Sequence, residues 1–207
     1  MTINELARMV HENAVEHGWW EDDRSDAEID ALIHSEWSEA LEEARAGRPM
    51  AYIEASVGSQ RDPATVLIER DADGRYIYFD KEYHAKPEGI AVELIDGCIR
   101  ILDYLGYMNA SITDADDIDS DVETLYSAEN QKRVPEALPE MVAELHAVTS
   151  AAYGERNLLT GMDVFKFLTA LAAALSWVAK QGLDPLAILL EKHAYNVTRP
   201  YKHGKRF

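Results

Sequence analysis

Apolar residues return every third or fourth position through most of this chain, the spacing of helices that each bury one face. The first such segment begins at Ile3. A second runs from Ser25 to Ala46, where Ser25 can cap the start with Glu28 reaching back as a capping box, and Gly47 followed by Pro49 stops it. Pro87 at a first-turn position predicts a third helix over Glu88 to Leu105, closed by Gly106. Its Ile90, Leu94, Ile95, Cys98, Ile99, Ile101, Leu102 and Leu105 cover more than half the circumference, so other helices should enclose it. Pro135 to Tyr153 is amphipathic. Phe165 to Ala179, with Thr160 as its cap and Gly182 at its end, is apolar enough to be a central bundle helix or a subunit interface. Asp184-Pro185 starts a last helix reaching about Asn196.

The period changes once. In ATVLIERDADGRYIYFD two runs rich in Val, Ile and Tyr flank the turn-forming Asp71-Ala-Asp-Gly74, which reads as a β-hairpin around residues 64–80 within an insertion at 48–86. Asn109 to Asp121 is polar and unpatterned and opens an acidic loop expected to reach about residue 133. Its Asp spacing lacks the central glycine and distal glutamate of a calcium loop. The expected fold is therefore one all-α domain over 1–207, a helical bundle carrying a small inserted hairpin.

Two carboxylate pairs lie on packing faces rather than in solvent. Ile29, Leu32, Ile33, Ala40 and Ala44 share a side with Glu36, and Glu39 and Glu43 fall there too, whereas Glu42 points away. Glu93, Asp96, Arg100 and Asp103 form the narrow polar stripe of the third helix. Ionised acids facing protein are costly unless a metal or basic partners neutralise them. Pairs three residues apart on facing helices can converge on one point, and hard oxygen donors suit Mg²⁺ or Mn²⁺.

The run LIHSEWSEALEEARAG, followed by AVELIDGCIRILDYLG, resembles the MazG-like all-α nucleoside triphosphate pyrophosphohydrolases, whose pattern is ExxE, a spacer, then ExxD. The final KHAYNVTRPYKHGKRF is similar to that family's nucleotide-contacting tail, and HGWWEDDRSD before the first acidic helix also looks like its members. The stretch between Glu39 and Glu93 is longer than in compact members, which the insertion explains. The resemblance implies hydrolysis of a nucleoside triphosphate to monophosphate and pyrophosphate with Mg²⁺, Mn²⁺ being possible. It implies Glu36, Glu39, Glu93 and Asp96 as the metal ligands, and Glu39 or Glu43 as the group that orients water. It also implies a homodimer or dimer of dimers, with Phe165 to Ala179 as the candidate contact. A phosphoribosyl-ATP pyrophosphohydrolase is a narrower version with the same metal logic.

Charge fits a small anionic substrate better than a long one. The chain of 207 residues has 38 acids against 20 Lys and Arg, a formal net charge of −18 that repels nucleic acid. Yet the segment from Lys192 to the end contains Lys192, Arg199, Lys202, Lys205 and Arg206 and no acid. Lys192 and Asn196, one turn apart, can face one cleft, and Arg199, Tyr201, His203 and Lys205 complete the candidate substrate set with Trp20. Trp19 and Trp20 follow Gly18 in a turn, where such residues anchor a segment to the core or stack on a base. Trp37 and Trp177 read as core.

Other classes are narrowed. The lone Cys98 reads as a small buried hydrophobe, and no Cys/His spacing suggests zinc. The most apolar helix has about a dozen uninterrupted uncharged residues against roughly 20 needed to span a bilayer. With no secretory signal evident, a cytoplasmic protein is expected. Two non-enzymatic readings stay open: a nucleic-acid-mimicking acidic inhibitor, with acids spread over an outer face, or an interaction bundle whose acids hold a structural metal.

Overall fold

The structure, a computed structural model, describes residues 1–56, 64–67, 84–108, 120–156 and 161–204. Helices dominate it. Helix α1 (Ile3–Glu16) starts with a complete capping box, Thr2 taking the Glu5 amide at 3.1 Å while Glu5 takes the Thr2 amide at 2.8 Å. Helix α2 (Asp26–Arg45) is capped by Ser25 as expected, but the Glu28 carboxylate accepts from Arg24 Nε at 3.0 Å. It buries Ile29, Ile33, Glu36, Trp37 and Ala40.

The insertion forms a three-stranded antiparallel sheet among the described residues. Strands β1 (Tyr52–Ser56), β2 (Ala64–Leu67) and β3 (His84–Glu88) lie in the order β2-β1-β3, with Ile53 opposite both Val66 and Pro87. The first run of the expected hairpin is thus a strand, but it pairs with β1; the Asp71–Gly74 turn and the second run lie outside the described residues.

Pro87 does not start a helix. It lies within an edge strand of the described sheet, where a missing N–H is tolerated, and helix α3 (Ile90–Tyr107) begins after Gly89. Gly89 has φ 115°, and a Cβ there would lie 2.8 Å from the Pro49 carbonyl oxygen, so strand passes into helix only because this residue is glycine. The stretch expected to be loop as far as residue 133 also contains helical turns. A 3₁₀ turn at Val122–Tyr126 and a short helix α4 (Ala128–Gln131) are anchored by buried Val122 and by Ser176 Oγ donating to the Leu125 carbonyl at 3.0 Å. Such short elements carry too few apolar positions to show a period.

Helix α5 (Leu138–Gly154) is followed by α6 (Val164–Lys180), capped by Asp163, whose side chain takes the Lys166 amide at 3.2 Å. Thr160, the expected cap, lies outside the described residues. Helix α6 buries Phe167, Ala170, Leu171, Ala174, Leu175 and Val178 inside this chain, leaving Phe165 exposed. Helix α7 (Pro185–Val197) follows, capped by Asp184. No described helix is long and apolar enough to cross a membrane.

Helix α3 is enclosed as its pattern requires, with Leu94, Ile95, Cys98, Ile101 and Leu102 fully buried. Burial pushes the Cys98 thiol far above its ordinary range, an inert hydrophobe in effect. Gly97 sets the approach of α2: a Cβ would stand 2.2 Å from the Trp37 ring. Trp37 in turn donates to Thr149 Oγ1 at 3.0 Å, tying α5 to the same seam. This close approach puts Glu36 opposite Glu93 and Asp96.

Candidate metal centre

Glu36 from α2 and Glu93 and Asp96 from α3 converge, each offering a carboxylate oxygen within 4.8 Å of the others. Glu36 and Glu93 are buried and Asp96 is half-buried. Glu39 does not join them: it is exposed, one turn along α2, although its charge still reaches Glu36. Glu43 is also apart, held by Tyr52 Oη donating to its Oε2 at 3.0 Å.

Basic groups answer part of this charge. Arg100 Nε donates to Glu36 Oε1 at 2.5 Å. Lys192, 2% exposed, places Nζ 2.8 Å from Asp96 Oδ2 and 3.0 Å from the Pro87 carbonyl oxygen. Lys86 pairs with Glu88, a fourth and buried carboxylate delivered by β3, which also shares a hydrogen bond with Glu93. Four acids therefore face three cations.

The surplus falls on Glu93. Burial and the charge of Asp96 push its carboxyl up to about 9, against the opposing pull of Lys192. It keeps its proton at neutral pH and donates to Glu88, whose own carboxyl is held low, in spite of burial, by Lys86 and by that bond. Burial also raises Glu36, partly offset by Arg100. Hard oxygen donors, close convergence and an uncompensated acid fit a divalent cation, for which Glu36, Glu93 and Asp96 are the available ligands.

Glu36, Asp96 and Arg100 also wall a cavity of about 110 Å³. Trp19, His193, Asn196 and Arg199 line it, with Asn13 from α1. The side-chain oxygens of Asn13 and Asn196 are buried with no hydrogen-bond partner among the described residues.

The C-terminal residues divide accordingly. Asn196 and Arg199 reach the cavity, whereas Lys192 is buried beneath Asp96. Tyr201 is exposed and donates to Glu21, so it docks the tail on the turn after α1 instead of facing the acids. Lys205 and the His203 side chain lie outside the described residues. Trp20 is elsewhere, stacked on Tyr107 with centroids 4.4 Å apart and donating to Asp103 Oδ1 at 2.9 Å; the indole at the cavity is Trp19.

Lys86, Glu88, Asn13 and His193 were not singled out from sequence. Reading Pro87 as a helix start concealed the first two, because a proline there suits an edge strand as well as a first helical turn. No protein-family model, curated protein or solved structure matches this chain.

Proposed function

We propose that this chain is a divalent-metal-dependent nucleotide pyrophosphohydrolase of the MazG-like kind, splitting a nucleoside triphosphate and water into nucleoside monophosphate and pyrophosphate. One observation carries the reading. Three carboxylates from two helices converge, and two of them, Glu36 and Asp96, wall a cavity also lined by Arg199, His193 and two asparagines whose side-chain oxygens are unpartnered among the described residues.

Glu36, Glu93 and Asp96 would hold Mg²⁺ or Mn²⁺, which supplies charge neutralisation for phosphate oxygens beside the attacked phosphorus. Arg199 supplies a guanidinium for an outer phosphate oxygen, a role that planar forked donors suit. Asn13 and Asn196 accept from hydroxyl or amino groups of the nucleoside, and Trp19 gives it an aromatic face. A cavity of about 110 Å³ takes only part of a nucleotide. The phosphates therefore lie at its acidic rim. Glu39, exposed one turn from Glu36, is the acid left to orient the attacking water, because Glu43 is engaged by Tyr52. Lys192 acts on Asp96 and not on phosphate.

An acidic mimic of nucleic acid, which needs its acids on an outer face, has no use for Glu36, Glu88 and Glu93 buried inside the fold. A Mg²⁺-supplemented screen of canonical and modified nucleoside triphosphates, read as pyrophosphate release, tests the proposal. Turnover by the wild type that is lost in Glu93→Gln supports it. Absence of turnover on every nucleotide, in folded protein that binds Mg²⁺, would favour the interaction bundle with a structural metal. Light scattering on the same sample reads the homodimer or dimer of dimers expected with this activity.

A further inference from the structure

The inserted sheet reaches into the acidic centre. Three consecutive residues of β3 touch it: Lys86 pairs with Glu88, Glu88 shares a hydrogen bond with Glu93, and the Pro87 carbonyl takes Lys192 Nζ at 3.0 Å while that nitrogen lies 2.8 Å from Asp96. Glu88 and Lys192 are both buried, 9% and 2% exposed. A surface decoration would leave such groups in water.

The junction behind them is fixed. The Ala91 amide donates to the Met50 carbonyl at 2.8 Å, and Gly89 passes so close to residues 49–51 that no side chain fits. Glu88 thus has a set position relative to the first turn of α3, where Glu93 stands. The sheet grips the other acidic helix as well, because Tyr52, paired with Glu88 across β1 and β3, donates to Glu43 of α2.

We propose that strand β3 is the positioning element of the acidic centre: the Pro87 carbonyl, acting through the buried Lys192 ammonium, sets Asp96. Neither Glu88 nor Pro87 ligates the cation. The proposal rests on the metal reading above but not on hydrolysis. A ligand whose rotamer is held by a second group is already arranged for the ion, and losing such a partner typically costs about 10–100-fold in metal affinity.

The test is a Mn²⁺ titration of the full chain, followed by electron paramagnetic resonance, on wild type, Lys192→Met, Lys192→Arg, Asp96→Asn and the Lys192→Met/Asp96→Asn double variant. Lys192→Met should weaken Mn²⁺ about tenfold or more although it removes a repelling charge, Lys192→Arg should recover part of the loss, and Lys192→Met should add nothing once Asp96 is already Asn; tighter Mn²⁺ binding by Lys192→Met overturns the proposal. That non-additivity is what a merely structural role would not give. Equal losses in both backgrounds, or none in either, overturn the proposal. Should Lys192→Met fail to fold, Lys192→Gln tested with and without Asp96→Asn gives the same comparison. Mn²⁺ binding without turnover of any nucleotide leaves the β3 proposal intact and removes the hydrolase; a wild type that binds no Mn²⁺ removes both.

Discussion

Helix α3 carries two acidic sites largely shielded from water, about two turns apart, and they solve the same problem differently. Asp103 is met from several sides: Trp20 Nε1 donates at 2.9 Å, His11 Nδ1 lies at 2.8 Å and Arg24 at 3.7 Å. Its oxygens have the partners that a buried carboxylate requires. Around Glu93 and Asp96 the acids outnumber the cations, and the excess is absorbed by a proton on Glu93. Burial of an acid is common to both regions. A surplus of acid is what distinguishes the proposed cation site from the satisfied anchor.

The largest effect expected from this contrast comes from Glu93→Gln. It reproduces the protonated state, so the metal-free protein should keep its melting temperature while Mg²⁺-dependent pyrophosphate release falls by more than about 100-fold, beyond what loss of an outer-shell partner costs. Turnover surviving this change would place the ligands elsewhere.

A smaller, graded effect follows from the proton. The folded chain holds it on Glu93 up to about 9, whereas the unfolded chain releases it near the ordinary 4.5. The native state therefore binds more protons through that interval, and metal-free stability should fall as pH rises from there toward 9. A cation must displace the same proton, so Mg²⁺ affinity should increase about tenfold per pH unit below the Glu93 pKa. Calorimetric titrations at pH 6, 7 and 8 check this, and Glu93→Gln should flatten both dependences. Metal affinity that is independent of pH would remove Glu93 from the ligand set.

The smallest effect belongs to the satisfied site. Trp20→Phe deletes one donor to Asp103 but leaves His11 and Arg24, which predicts a loss of about 1 kcal/mol in chemical denaturation and no change in Mn²⁺ affinity. A change in Mn²⁺ affinity would show that the two acidic regions are coupled.

Much of this contrast is visible in sequence, because helical period and stop signals are local. The caps at Ser25 and Asp184 and the apolar breadth of α3 all appear as expected, and they put Glu36, Glu93 and Asp96 on inward faces. What the pattern does not encode is which partner stands opposite. Glu39 shares the side of Glu36 but lies one turn along, at the exposed end of the acidic face. Lys192, expected to reach substrate, is drawn under Asp96 by the missing counter-charge. The same blindness hid β3, since Pro87 is equally compatible with a first helical turn and with an edge strand; Gly89 and the Met50 carbonyl decide between them.

The central claim is that Glu36, Glu93 and Asp96 share one divalent cation. Crystals soaked in Mn²⁺ and measured at an energy where manganese scatters anomalously test it directly. The account predicts a single peak bounded by oxygens of those three side chains, with Arg100 drawn back from Glu36. A map without that peak, in which Arg100 still holds Glu36, would contradict it.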